Sequence, residues 1–250
     1  MTDPKKRFSN RAENYAEYRP GYPRSVLDLL ETECGLSRGS VIADVASGTG
    51  LLSGLFLGYG SRVYGVEPND EMRLAGERSL ETYPGFTSAA GTAEATTLDT
   101  DAVDFVVVGH AFHWFDPGPT RAEFTRILRP GGWVALLWNE QRTDATPFLA
   151  AYESLIQRYK TERYKPFDMQ SEVRSFFAPE PFENRTFENR QTFGLDGLKG
   201  RLLSSSYVPD KGQPGYYAMM EELESIFRDH QENDRITVEY DTLVYYGRLR

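Results

Sequence analysis

The sequence predicts an α/β fold with a doubly wound, mostly parallel sheet of seven strands. Up to residue 141, short apolar runs alternate with amphipathic stretches, which is typical of a parallel sheet covered by helices. After residue 141 the pattern changes to helices and two polar-aromatic stretches, which predict an antiparallel C-terminal edge. Ligands of such sheets bind at the carboxyl ends of the strands, where the strand order reverses, so we expect the functional site there.

Five apolar runs are predicted to form the parallel strands: SVIADVA, SRVYGVEP, GFTSAA, AVDFVVVGHAF and WVALLWNEQ. Helices are predicted between them, one of them capped by Asn69 or Asp70 with acidic residues in its first turn, and another, PTRAEFTRILRPGG, ended by Pro130 and Gly131. The last predicted strand, Arg235 to Tyr246, alternates in character with a period of two. Four of its residues are expected to share one face: Val238, Tyr240, Thr242 and Val244.

Composition limits the kinds of partner that this protein can have. With 40% hydrophobic and 26% charged residues, the chain is an ordinary globular protein. No apolar run approaches the roughly 20 residues that span a bilayer, so we expect no membrane partner. A net charge of -9 argues against a nucleic-acid partner. The single cysteine, Cys34, and the lack of an apolar signal segment fit the cytoplasm, and we expect a monomer or homodimer.

The stretch DVASGTG, Asp44 to Gly50, predicts a loop that lets a ligand approach the backbone. It matches G-x-G-x-x-G imperfectly, because the third glycine position falls on Ser53, and it lacks the lysine of a phosphate-binding loop. A purely structural turn is the alternative. The context favours a nucleoside site, since Glu67 ends the next predicted strand, where an acid can accept hydrogen bonds from two ribose hydroxyls.

Five motifs, in this order, resemble those of class I S-adenosylmethionine-dependent methyltransferases: VIADVASGTG, VYGVEPNDEM, GTAEAT, VDFVVVGHAFHWFD and ILRPGGWVALLW. The opening FSNRAENYAEYRPGYP and the tail segments GRLLSSSYVP and VEYDTLVYYGRL are similar to the small-molecule branch, with a methyltransferase type 11 domain and trans-aconitate methyltransferase-like members. The resemblance implies a Rossmann-like sheet, S-adenosylmethionine as cofactor and a small-molecule substrate. One departure is Ala46, which replaces the first glycine of D-x-G-x-G-x-G and would disfavour a positive φ.

The resemblance also implies the cofactor-binding residues. The loop would meet the methionine part, Glu67 the ribose and residues 92–94 the adenine edge, while residues 109–110 would lie near the methyl group. The full implied set follows the ends of four strands: Asp44, Ala46, Ser47, Gly48, Gly50, Glu67, Pro68, Thr92, Ala93, Glu94, Gly109 and His110.

The same resemblance implies an N-terminal lid, residues 1–24, ahead of a cofactor-binding core at 25–140. Residues 141–180 are expected to cover the substrate, and residues 181–250 to complete the sheet of this single domain. Two lid residues are expected to act in catalysis, Tyr15 and Arg19, the latter by pairing with a carboxylate of cofactor or substrate. Aromatic residues near the rim are expected to contact the substrate: Tyr18, Tyr22, Trp114, Trp138 and Tyr207.

His110 and His113 are spaced as a metal pair on a helix would be, but no third ligand is near, so we expect no metal. His113 is suited to act as a general base near neutral pH, or else it packs in an aromatic plug beside the cofactor. Because no acid–base pair is obvious, an acceptor that is already nucleophilic is favoured, and a small organic acid is the leading expectation.

Two other functional classes stay open at this point. A nicotinamide-dependent oxidoreductase has a similar fold, but Ser53 and the lack of a Tyr-x-x-x-Lys pair after the sheet disfavour it. A cofactor-binding module without catalysis is the third interpretation.

Overall fold

The structure is a computed structural model that describes residues 17–161 and 168–249. Its sheet has seven strands: β1 Val41–Val45, β2 Arg62–Val66, β3 Phe86–Ala89, β4 Val103–Gly109, β5 Leu128–Gln141, β6 Phe182–Phe193 and β7 Ile236–Gly247. The strand order is β3-β2-β1-β4-β5-β7-β6. Strands β1 to β5 are parallel, and β7 is antiparallel to both β5 and β6. The predicted fold class is confirmed, with β6, rather than the C-terminal strand, at the edge.

Eight α-helices occur within the described ranges: α1 Ser25–Cys34, α2 Leu51–Tyr59, α3 Asp70–Ser79, α4 Pro117–Ile127, α5 Pro147–Tyr159, α6 Met169–Phe177, α7 Leu195–Leu203 and α8 Tyr216–His230. A short 3₁₀ helix covers Phe112–Trp114. The prediction that the fourth helix runs to Pro130 was wrong. It ends at Ile127 because Leu128 already pairs with Val103 of β4.

Local sequence signals account for several helix boundaries. Asn69 is the N-cap of α3, and its side-chain oxygen accepts the backbone N–H of Met72 at 2.9 Å. This bond satisfies one of the donors that a helix start leaves unpaired, and acids in the first turn suit the helix dipole. Helix α1 ends at Gly35, whose φ of +73° suits a residue without a side chain.

The central strands are buried on both faces, as expected for parallel strands between helices. In β7, the four residues predicted to share one face are all buried: Val238, Tyr240, Thr242 and Val244. Tyr240 and Val238 belong to a separate apolar cluster in which α5, α7 and α8 pack over β7. This cluster matters for function because it carries one wall of the cavity described below.

The segment predicted to cover the substrate, residues 141–180, contains α5 and α6. Helix α5 packs on α8, and α6 packs on α4 with Phe176 and Phe177 in the main core. Its covering role stays a prediction. In the described part of the chain, no helix is both long and apolar enough to cross a membrane.

Candidate active site

The glycine-rich loop joins β1 to α2 at the point where the strand order reverses. Three of its residues have a left-handed backbone: Ala46 with φ +58°, Gly48 with φ +56° and Gly50 with φ +86°. The N–H of Ser47 donates to the carbonyl of Val66 at 3.1 Å, which ties the loop to the end of β2. Ala46 therefore adopts the positive φ that is disfavoured for a residue with a Cβ.

Asp44, the last polar residue of β1, is 1% exposed beneath this loop. The hydroxyl of Ser53 donates to its Oδ2 at 2.6 Å, whereas its Oδ1 is buried and has no hydrogen-bond partner among the described residues. Burial raises the pKa of Asp44 to about 7, although the Ser53 hydrogen bond acts in the opposite direction. Ser53, which the glycine pattern marks as a mismatch, therefore positions this carboxyl.

Glu67 follows β2 and is 7% exposed. Its two oxygens accept the N–H groups of Gly48 and Asn69, both at 2.9 Å. Burial raises its pKa, while these two hydrogen bonds lower it. A carboxylate offers about four acceptor positions, so two remain for hydroxyls of a ligand.

The end of β4 supplies the next part of the site. His110 has φ +56°, and its N–H donates to the carbonyl of Leu137 at 2.7 Å. Burial, and then the charges of Arg19, His113 and Arg201, lower the pKa of His110 to about 3. The imidazole is therefore neutral near pH 7.

Residues 17–22, which we call the strap, cross this edge of the sheet. Asn139 of β5 and Asn189 of β6 donate to the carbonyl of Gly21 at 3.2 and 2.8 Å. The hydroxyl of Tyr22 lies close to Gly109: a Cβ added at Gly109 would be only 2.6 Å from the Tyr22 hydroxyl oxygen. The strap is thus fixed by side chains from two strands, and it closes over the end of β4.

A cavity lies between the loop, the strap and α7. Eight predicted residues line it: Arg19, Tyr22, Asp44, Ala46, Ser47, Gly48, Gly109 and His110. Six more residues complete the wall: Pro20, Thr49, Leu51, Leu52, Asn139 and Arg201. The sequence therefore brings together the loop, the lid arginine and the end of β4 as expected.

None of the residues predicted to contact the adenosine part lines this cavity. Pro68 is half-buried next to Glu67, and residues 92–95 form a tight turn after β3. Ala93 is buried in the main core, and the carboxylate of Glu94 accepts the N–H of Asp116 at 3.1 Å. Gly50 and Thr92 likewise do not line the cavity.

The predicted substrate aromatics are scattered. Trp138 is 3% exposed and packs edge-on against Phe112 and Tyr245 in the core, so it does not line the cavity. Tyr18 packs against Gly200 of α7, and Tyr207 packs in the cluster of α5, α7 and α8.

His113 and Trp114 belong to the 3₁₀ helix and do not line the cavity either. Their rings are 4.7 Å apart, and Trp114 is 37% exposed. Tyr15 lies outside the described residues. The roles predicted for these residues stay predictions.

Arg201 is the residue that our sequence analysis missed. It is 4% exposed, yet it lines the cavity from α7. A signal was present, because Arg201 lies three residues after the buried Leu198 and next to the buried Leu202, on the apolar face of the helix.

The known proteins to which this chain is similar include methyltransferases. Residues 43–136 match a family described as a methyltransferase domain. An uncharacterised methyltransferase-like protein of Schizosaccharomyces pombe is 24% identical, over 96% of this chain and 94% of that protein. An uncharacterised methyltransferase of Mycobacterium bovis is 35% identical over 53% of this chain and 51% of that protein.

Among solved structures, a putative type II methyltransferase from Anaeromyxobacter dehalogenans is similar, with a TM-score of 0.70 and 25% identity. The match covers 93% of this chain and 98% of that one. Together with the seven-stranded sheet, these matches support a methyltransferase with the class I fold. The protein is an S-adenosylmethionine-dependent methyltransferase.

Proposed function

We propose that the cavity binds S-adenosylmethionine against the loop and methylates a carboxylate of a small organic acid. When bound, S-adenosylmethionine supplies an electrophilic methyl group on a positively charged sulfur. The remaining work falls to the protein, which has to hold the cofactor, admit the acceptor and keep water away from the reacting atoms.

Two buried carboxyl groups support the cofactor part of this proposal. Asp44 lies at the cavity wall, and its Oδ1 is buried without a hydrogen-bond partner among the described residues. Leaving a buried acceptor without a hydrogen bond costs free energy, so this oxygen fits the ammonium group of the methionine part. The two remaining acceptor positions of Glu67 suit the two ribose hydroxyls. The left-handed loop lets backbone atoms of Gly48 approach a ligand without obstruction from a side chain.

The observation that carries the acceptor class is the state of His110. It is the one histidine among the described residues that line the cavity, and its pKa of about 3 makes it a weak base. A hydroxyl or ammonium acceptor would need to lose a proton, whereas a carboxylate is already ionised near pH 7. Arg19, in the same wall, supplies a positive charge that suits such an acceptor.

Calorimetric titration with S-adenosylhomocysteine and with NAD tests the cofactor. We expect binding of the first and no heat from the second. NAD binding without any response to S-adenosylhomocysteine would refute the cofactor proposal.

A panel of small acids, phenols and amines tests the acceptor, with release of S-adenosylhomocysteine as the readout. We expect turnover with acids. Turnover with phenols or amines alone would refute the acceptor class but leave the methyltransferase assignment intact, and cofactor binding without turnover on any class would favour a non-catalytic module.

A further inference from the structure

Arg201 is a buried cation that has no counter-ion among the described residues. Its Nε donates to the hydroxyl of Tyr240 at 2.8 Å and its Nη1 to that of Ser205 at 3.2 Å. Its third nitrogen, Nη2, donates to no protein group in the described part of the chain, and no carboxylate there pairs with it. By contrast, the partly buried Arg126 and Arg142 are each paired with acids.

The surroundings of Arg201 are aromatic rather than acidic. Its guanidinium lies over the ring of Tyr240, 5.7 Å from the centroid. Burial acts to lower the pKa of Arg201, but the neighbouring phenols of Tyr240, Tyr152 and Tyr207 raise it overall, so the group keeps its charge. Tyr152 is fully buried, and its hydroxyl has no hydrogen-bond partner among the described residues. Burying a charge without a partner costs stability, which indicates a purpose other than folding.

The cation is also placed where a ligand can reach it. Arg201 and Arg19 line the same cavity, and both charges lower the pKa of His110. Arg19 is held close to α7, since its Nη2 donates to the carbonyl of Ser204 at 3.1 Å. The wall therefore presents two guanidinium groups, and Asp44 is its one acidic residue among those described.

We infer that Arg201 binds a carboxylate in this cavity. The guanidinium has a planar fork of donors that matches the two oxygens of a carboxylate. The inference rests on the proposed function, which offers two sources of that group: the acid acceptor, or the methionine part of the cofactor. A purely structural role, in which Arg201 only ties α7 to Tyr240 of β7, is the competing explanation.

Two adenosine ligands distinguish the two possible sources of the carboxylate. S-adenosylhomocysteine carries the amino-acid carboxylate, whereas 5′-methylthioadenosine keeps the adenosine and sulfur but lacks the amino acid. If the carboxylate belongs to the cofactor, Arg201→Gln weakens the binding of S-adenosylhomocysteine by about 10- to 100-fold, which is the range for a hydrogen bond to a charged group. The affinity for methylthioadenosine then stays unchanged. The exposed Arg78→Gln on α3 is the matched control and should change neither ligand.

If the acceptor is the source, Arg201→Gln leaves both adenosine ligands unchanged. Acetate, succinate and benzoate then raise the melting temperature of the wild type saturated with S-adenosylhomocysteine, but not that of the variant. Arg201→Lys keeps the positive charge but lacks the paired donors of the guanidinium. It should therefore retain part of the ligand affinity, or of the stabilisation by acids, that Arg201→Gln loses.

Equal weakening of both adenosine ligands, or no change in any of these measurements, would overturn the inference. Failure of the proposed function looks different. A wild type that binds no adenosine ligand refutes the cofactor site, and one that methylates no acid refutes the acceptor class. The acid titration can still be run without any adenosine ligand, so it tests Arg201 in either case.

Discussion

Two residues other than glycine that line the cavity have a left-handed backbone. Ala46 follows β1 with φ +58°, and His110 follows β4 with φ +56°. For a residue with a Cβ this conformation costs roughly 1–2 kcal/mol. Such strain is retained where the surrounding structure holds it, and here it directs two neighbouring strand ends toward one cavity.

Replacing Ala46 with glycine should relieve that strain. The relief of roughly 1–2 kcal/mol exceeds the roughly 0.4–1 kcal/mol that glycine adds to the entropy of the unfolded chain. We therefore expect Ala46→Gly to increase the free energy of unfolding by up to about 1 kcal/mol, measured by urea titration. Ala43→Gly, at a fully buried position of β1, is the control and should destabilise. A loss of stability in Ala46→Gly equal to that of the control would contradict the strain argument.

The raised pKa of Asp44 predicts how ligand affinity depends on pH. In the ligand-free protein Asp44 is protonated below about pH 7, because burial disfavours its charge. Binding an ammonium group requires the ionised form, so the ligand must displace a proton at lower pH. The affinity for S-adenosylhomocysteine should therefore increase as the pH rises from 5 to about 7.

Proton release below pH 7, measured by calorimetry in buffers of different ionisation enthalpy, checks this mechanism. Asp44→Asn, which cannot ionise, should bind more weakly and show no such release. Equal proton release by the wild type and by Asp44→Asn would remove Asp44 from the ligand contact.

At the scale of elements, the strap depends on strands that follow it by more than 100 residues. The Oδ1 atom of Asn139 in β5 accepts two hydrogen bonds. One comes from the hydroxyl of Thr242 in β7 at 2.6 Å, and the other from the amide of Asn189 in β6 at 3.2 Å. Both amides then reach Gly21. This network links three strands to the segment that carries Arg19 into the cavity.

Removing one amide should loosen the strap without unfolding the protein. We expect Asn189→Ala to weaken the binding of S-adenosylhomocysteine several-fold, since a neutral hydrogen bond contributes about 1 kcal/mol. The same variant should increase the rate of proteolytic cleavage near residue 21. Asn184→Ala, at an exposed position of the same strand, is the control. If cleavage rates and ligand affinity match those of the control, the amide does not fix the strap.

The difference between local and long-range contacts explains which parts of the structure could be predicted from the sequence. The five parallel strands and a cap at Asn69 or Asp70 follow from periodicity and from neighbours within four residues. The strands were located, except for the early start of β5 at Leu128, and Asn69 is the N-cap. The loop and the lid arginine were found because their motifs are contiguous. Arg201 was missed, because its placement in the cavity depends on contacts between distant segments. The antiparallel direction of β7 was predicted, but its position between β5 and β6 depends on long-range pairing that no local pattern encodes.

For the molecule as a whole, the cavity joins parts that are far apart in the chain. The strap, the loop, the end of β4, Asn139 and Arg201 all contribute to its wall. A ligand that contacts them binds only the folded state, so its binding free energy adds to the stability of the entire domain. At 100 times its dissociation constant, S-adenosylhomocysteine should raise the free energy of unfolding by about 2.7 kcal/mol.

Glu67→Ala tests this linkage together with the ribose contact. Loss of a hydrogen-bonded carboxylate should weaken ligand binding by about 1.5–3 kcal/mol, or roughly 10- to 160-fold. At the same ligand concentration the stabilisation then falls to roughly 0.3–1.3 kcal/mol. The increment caused by the ligand is the quantity to compare, because Glu67→Ala also leaves the N–H groups of Gly48 and Asn69 without their acceptor. Glu71→Ala, at an exposed position of α3, should keep the full increment, and an unchanged increment in Glu67→Ala would show that Glu67 does not touch the ligand.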